Sequence, residues 1–146
     1  MPPIAKLQPS DKRAGHPRTV KKVFVVENHP LMCRSIVEAI EREADLAVCG
    51  HADNADEALT GILSLQPDAV VKQLQFESTE AVEFIKCLRA QLPALPIIAI
   101  ATFDLFRPER MARIAGANAF ACKHDGPQKL IATIRAALRQ GHEARS

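Results

Sequence analysis

The chain has 146 residues, of which 47% are hydrophobic and 25% charged, so it is long enough for one ordinary domain with a real core. Its 19 basic and 17 acidic residues give a net charge of +2, and it contains no Trp or Tyr, which argues against direct binding to nucleic acid. There is no signal peptide or membrane-length apolar stretch, and the four cysteines form no C-x-x-C pair, which indicates reduced thiols. We therefore expect a cytoplasmic protein without a membrane partner.

The first 20 residues differ in composition from the rest of the chain. They contain four prolines and four basic residues against one acid, and they follow neither the helical nor the strand period. We predict a disordered leader over residues 1–20, one domain over residues 21–140 and a short tail over residues 141–146.

From residue 21 onward, short apolar runs alternate with amphipathic stretches. This alternation is typical of an α/β domain in which helices cover a parallel sheet. The five predicted strands are "KVFVV" at 22–26, "LAVCGH" at 46–51, "DAVVKQ" at 68–73, "PIIAIA" at 96–101 and "AFACK" at 119–123.

Apolar residues at helical spacing predict a helix after each strand. The four clearest sets are Leu31, Ile36, Val37 and Ile40; Ala58, Ile62 and Leu65; Val82, Ile85 and Leu88; and Leu130, Ile134 and Leu138. Asn54, Ser78 and Pro127 stand at plausible helix starts. The stretch 105–115 fits the remaining helix, provided that Pro108 lies in its first turn.

Gln73 is an unusual residue to find at the end of an apolar strand. The carboxyl ends of parallel strands are where ligands and chemistry are usually found, but an amide is neither a nucleophile nor a base. Lys72, just before it, is also unexpected in a buried strand. Strand alternation directs Lys72 away from Gln73, either toward the sheet edge or toward Glu77 or Glu80.

Several segments, taken in order, resemble the receiver domain of two-component response regulators. They are "VFVVENHPLMCRSIVEAIE", "ADNADEAL", "QPDAVV" and "AGANAFACKHDGPQKLIATIRAAL", and the resemblance extends over residues 21–140. It implies a flavodoxin-like fold, with a five-stranded parallel sheet in the order 2-1-3-4-5 and five flanking helices.

The resemblance also implies a phosphorylation pocket. Receivers transfer a phosphoryl group from a histidine kinase to their own aspartate, with an acidic pair that holds Mg²⁺, a hydroxyl residue and a lysine. In this chain the acidic pair falls on Glu27 and Asn28, the acceptor on Gln73, the hydroxyl position on Ala101 with Thr102 one residue later, and the lysine on Lys123. The loop at 76–81, "FESTEA", lacks the usual Pro and Gly as well.

We interpret this pocket as degenerate, with no catalytic residue, no metal and no cofactor. Glu27 is expected to pair with Lys123, with His29 and His124 at the rim. The alternative is an active receiver with a relocated acceptor carboxylate, either Glu27 or Asp104. An unrelated enzyme is disfavoured, because "ENHPLM" after the first strand has no glycine with which to cradle a phosphate.

The resemblance further implies an output surface made by the fourth helix, the fifth strand and the fifth helix. Phe120 occupies the position of the family's switch aromatic, and we expect it to point inward permanently, because it lacks a phenolic oxygen. The residues predicted for this surface are Phe103, Phe106, Arg107, Arg110, Arg113, Lys129 and Arg135. They suit a protein partner such as a kinase, a regulator or a second copy of the chain.

No helix-turn-helix pattern follows the last helix before the chain ends at "RQGHEARS". We therefore expect a stand-alone pseudo-receiver that acts in two-component signalling through protein contacts.

Overall fold

The computed structural model describes residues 19–74, 79–102 and 108–145, with side chains to residue 140. Strands and helices alternate along the chain. They are β1 (Lys21–Val26), α1 (Pro30–Glu41), β2 (Leu46–Ala52), α2 (Ala55–Leu65), β3 (Ala69–Gln73), α3 (Glu80–Gln91), β4 (Ile97–Ala101), α4 (Pro108–Ala115), β5 (Ala119–Cys122), a 3-10 turn (Lys123–Asp125) and α5 (Pro127–Arg145).

The sheet has five strands in the order β2-β1-β3-β4-β5, which confirms the predicted order. Strand β1 pairs with β2, β3 with β4 and β4 with β5, and each of these pairings is parallel. Contacts divide the chain into two compact units, Met1–Asp68 and Ala69–Ser146. In the described part of the chain, no helix combines the length and apolar character needed to cross a membrane.

Some predicted boundaries differ from the observed ones. Helix α5 runs to Arg145, past the predicted domain end at residue 140, because no proline interrupts it after Pro127. Leu31 was grouped with the apolar side of α1 but is 70% exposed, since it lies in the first turn on the outward side. Val20 in the predicted leader is buried. Residues 1–18, the predicted start at Ser78 and residues 105–107 of the predicted fourth helix lie outside the described residues.

The first unit contains β1, β2, α1 and α2, and its core is aliphatic. Phe24, Ile40, Leu46 and Ile62 are the largest of its fully buried side chains. Each helix has a side-chain cap at its start: His29 accepts a hydrogen bond from the Met32 N–H in α1, and the Asn54 side chain accepts one from the Glu57 N–H in α2. These caps set the residue at which each helix begins after the preceding strand.

Strand β2 is at one end of the sheet order and carries a β-bulge. Pairing shifts from Val23 opposite Val48 to Phe24 opposite Gly50, so Cys49 is the extra residue. The Cys49 thiol donates a long hydrogen bond to the Val23 carbonyl, with Sγ at 3.6 Å from the oxygen. One residue earlier, the Val48 N–H donates to Glu41 Oε2 at 2.6 Å.

The second unit contains β3, β4, β5 and helices α3 to α5. Every residue of β3 and of β4 is buried, as expected for strands of a parallel sheet. The core around them includes the fully buried Ile85, Leu88, Ile98 and Ile134.

At the end of α3, Arg89 ties together two loops of the second unit. Its guanidinium donates to the carbonyls of Leu92 and Pro93 at 3.2 and 2.8 Å and twice to that of Gly116 at 3.0 and 2.8 Å. It also donates to Asn118 Oδ1 at 2.6 Å. Burial lowers the pKa of Arg89 below its ordinary value. Gly116 has φ +127°, and a Cβ there would lie 3.0 Å from Arg89 Cγ, so the close approach favours glycine.

Replacing this guanidinium should destabilise the second unit. We expect Arg89→Met to lower the free energy of unfolding by about 1.5–3 kcal/mol, because several carbonyls lose a charged donor. Arg139→Met is the matched control, since Arg139 is exposed on α5 and should change stability by less than about 0.5 kcal/mol. Urea denaturation checks both, and equal effects of the two variants would contradict the structural role of Arg89.

The half-buried bulge residue Cys49 should be a poor nucleophile. Burial raises the pKa of Cys49 from 9.0 to about 11, whereas Cys87 is exposed on α3. At about pH 8.5 we expect iodoacetamide to modify Cys87 at least roughly tenfold faster than Cys49, because the thiolate is the reacting form. The rate at Cys49 should rise toward pH 11, and peptide mass spectrometry separates the two sites. Equal rates at pH 8.5 would contradict the burial.

Candidate functional site

In the first unit, Glu27 and Asn28 follow β1 as predicted. Glu27 is 4% exposed, and its Oε2 accepts a hydrogen bond from the His29 N–H at 3.0 Å. The Glu27 N–H donates to the Ala52 carbonyl, while Asn28 and His29 are exposed. The one carboxylate of the predicted acidic pair therefore helps to shape the turn that begins α1.

In the second unit, Gln73 ends β3 and is 8% exposed. Its Nε2 donates to the Leu74 carbonyl at 3.0 Å. Its Oε1 is buried and has no hydrogen-bond partner within the described part of the chain. The Nε2 contact sets the orientation of the amide. A buried acceptor without a hydrogen bond costs about 1–3 kcal/mol.

Lys72 is 7% exposed on β3, and its ammonium lies 5.4 Å from the centre of the Phe84 ring on α3. This is the distance at which a cation is attracted by the face of an aromatic ring. Because Lys72 is buried, the sequence-based alternative in which it reaches the open sheet edge is wrong. Of its other suggested partners, Glu77 lies outside the described residues.

The hydroxyl position and the lysine position also lie at strand ends of the second unit. Ala101 ends β4 and is buried, while Thr102 is exposed. Ala101 pairs with Cys122 of β5, and Gln73 pairs with Ile100, so the ends of β3, β4 and β5 lie side by side. Lys123 was predicted to end β5, but it begins the 3-10 turn and is half-buried. Its neighbour His124 is exposed.

The predicted switch and output residues are distributed over β5, α4 and α5. Phe120 is only half-buried and lies opposite Ala99 of β4. On α4, Arg110 and Arg113 are exposed, and on α5, Lys129 is exposed while Arg135 is half-buried. The predicted residues Phe103, Phe106 and Arg107, and the alternative acceptor Asp104, lie outside the described residues.

Arg113 is held in place by its neighbours. Its Nε forms an ion pair with Glu109 Oε2 at 2.9 Å, one turn earlier on α4. Its Nη1 donates to the Asn118 carbonyl at 3.1 Å. Among the described residues, no three His, Cys, Asp or Glu side chains are grouped so that they could hold a metal ion.

Two contacts near the strand ends were not predicted from the sequence. The His29 cap was detectable, because Pro30 directly after it is typical of a first helical position. The Lys72 contact with Phe84 depends on which strand face meets α3, and the chain order alone does not give that.

Comparison with known proteins agrees with the family resemblance seen in the sequence. The sequence matches the response regulator receiver domain family over residues 23–135. An uncharacterized transcriptional regulatory protein, YxjL, from Bacillus subtilis is 26% identical over 118 residues, covering 81% of this chain and 54% of that protein. The DNA-binding transcriptional activator DevR/DosR of Mycobacterium tuberculosis is 24% identical over 114 residues, covering 78% and 52%. The chain spans about half the length of these curated relatives.

Solved structures give the same fold. A LuxR-family two-component response regulator from an Aurantimonas species superposes with a TM-score of 0.77 at 25% identity, covering 84% of this chain and 87% of that one. A CheY-like receiver domain protein from Methanospirillum hungatei superposes with a TM-score of 0.75 at 19% identity, covering 86% and 99%. The predicted resemblance is confirmed: the chain belongs to the response regulator receiver domain family of two-component systems.

Proposed function

We propose that this receiver domain does not accept a phosphoryl group and that it signals through protein contacts made by its surface. The observation that carries the proposal is Gln73, which occupies the position of the family's acceptor aspartate. The lone pair of an amide nitrogen is delocalised into its carbonyl, so Gln73 offers no nucleophile for phosphorus. Its Nε2 also donates to the Leu74 carbonyl, and the side chain is buried.

The donor set does not fit Mg²⁺ either. Mg²⁺ requires several hard oxygen ligands and gives up its water reluctantly. Of the three positions that supply side-chain ligands in the family, Glu27 alone has a carboxylate, because Asn28 and Gln73 are amides. One Glu27 oxygen already accepts the His29 N–H. These substitutions support a domain without the metal-dependent phosphorylation step.

Ala101 supports the same proposal. The family's switch depends on a hydroxyl at the end of the fourth strand, and Ala101 provides none. Phe120, at the switch position, is half-buried on β5 and has no phenolic hydroxyl. The surface formed by α4, β5 and α5 would then have a single conformation. Signalling through this surface would be controlled by how much of the partner is available.

The first test is phosphorylation by a small-molecule donor. After incubation with acetyl phosphate and Mg²⁺, we expect intact-protein mass spectrometry to show no added phosphate, while an active receiver treated in parallel gains one. A gain of one phosphate, mapped to Glu27 or Asp104, would establish the relocated acceptor and overturn the proposal.

The second test restores the acceptor. We expect Gln73→Asp alone to gain little phosphate, because Asn28 still leaves a metal with too few carboxylates. The double variant Gln73→Asp with Asn28→Asp should gain more than the single variant. Gln73→Asn is the matched control without a carboxylate. Full phosphorylation of Gln73→Asp by itself would mean that the acceptor is the only missing group.

A further inference from the structure

The outward side of α4 carries exposed apolar and basic side chains next to one another. Met111 is 46% exposed and Ile114 is 73% exposed, and the exposed Arg110 and Arg113 lie beside them. At 3.6 residues per turn these four residues form one continuous arc, which we call the α4 ridge. Single exposed apolar residues are common, but an adjacent pair flanked by arginines has the composition of a docking surface.

Two copies of the α4 ridge would be poor partners for each other. A symmetric contact of ridge against ridge would bring like charges together, and like charges across an interface oppose association. Glu109 forms an ion pair with Arg113, which holds that guanidinium at the surface, but it leaves Arg110 as an unbalanced positive charge on the helix. The ridge therefore favours an acidic surface with apolar side chains.

The chain itself has such a surface on α2. Asp56, Leu59, Thr60 and Leu63 follow the i, i+3, i+4, i+7 pattern, so they share one side of the helix, which we call the α2 face. Leu63 is 47% exposed, Asp56 and Thr60 are exposed and Leu59 is half-buried. Residues 53–68 contain four acidic residues and no Lys or Arg. The α2 face thus complements the α4 ridge in charge and matches it in apolar character.

We propose that the α4 ridge of one copy docks on the α2 face of a second copy. With the two helices laid parallel, Ile114 would insert among the four residues of the α2 face, which are spaced like a hole that accepts a knob. Arg110, about 6 Å earlier along α4, would then lie near Asp56. The contact joins two different surfaces, and each copy carries both of them, the α4 ridge and the α2 face. This inference deepens the proposed function, because it names a second copy as the partner of the same surface.

A charge exchange between two variants provides the test. Arg110→Glu and Asp56→Arg should each weaken self-association by about tenfold or more, because each brings like charges together. An equimolar mixture should associate again: the Asp56→Arg copy keeps its α4 ridge, and the Arg110→Glu copy keeps its α2 face. Sedimentation velocity over a concentration series measures all three samples.

Matched controls use exposed residues elsewhere. Arg139→Glu on α5 and Glu38→Arg on α1 change charge by the same amount and should leave self-association as it is. Ile114→Gln should weaken it, whereas Leu31→Gln should not, although Leu31 is 70% exposed. Higher salt should weaken association of the unmodified chain.

Four outcomes would overturn the inference, three of them from the self-association measurements and one from binding of another protein. The first three are a monomer at all concentrations up to about 1 mM, association that both charge variants leave unchanged, and a mixture that stays monomeric. An unrelated acidic protein that binds the ridge while the chain itself stays monomeric would also overturn it. None of these outcomes touches the proposed function, which fails only if the unmodified protein is phosphorylated.

Discussion

Strands β3 and β4 are buried at every residue, and this burial determines what their polar side chains can do. A polar group in such a strand must find a partner inside the protein, because water does not reach it. Lys72 lies over the Phe84 ring, and Gln73 uses its amide nitrogen on the neighbouring Leu74 carbonyl. The unsatisfied Gln73 oxygen has a free-energy cost that an apolar residue would avoid. Strand β3 thus ends in an uncharged polar group, Gln73, at the position where the resemblance predicts an acceptor aspartate.

The Arg89 contacts join parts of the second unit that lie far apart in sequence. Arg89 binds the carbonyl of Gly116, directly after α4, and Asn118 accepts from both Arg89 and the Ile97 N–H. The end of α4 is therefore tied to α3 and to the start of β4. These hydrogen bonds position the end of α4 against α3, which suits recognition of a partner by the outward side chains of α4.

The sequence predicted the order and type of the elements because buried strands and amphipathic helices have different periods. It also located Glu27, Gln73 and Ala101 at strand ends, since a strand end follows directly from the apolar pattern. It failed where the outcome depends on three-dimensional neighbours. The exposure of Leu31 and the Lys72 contact with Phe84 depend on the direction in which each side chain leaves its element. The Arg89 contacts join residues 27 and 29 positions apart, and no local pattern reports them.

The hydrogen bond between the Val48 N–H and Glu41 changes what β2 offers to another strand at the edge of the sheet. An edge strand with open backbone donors is a template on which a strand of another molecule can add, and such addition begins cross-β aggregates. In β2 the carboxylate of Glu41 occupies the Val48 donor, and the bulge at Cys49 interrupts the regular spacing just beyond it. A side chain from the preceding helix therefore satisfies one donor of the edge strand beside the bulge, and both features make β2 a poorer template for an added strand.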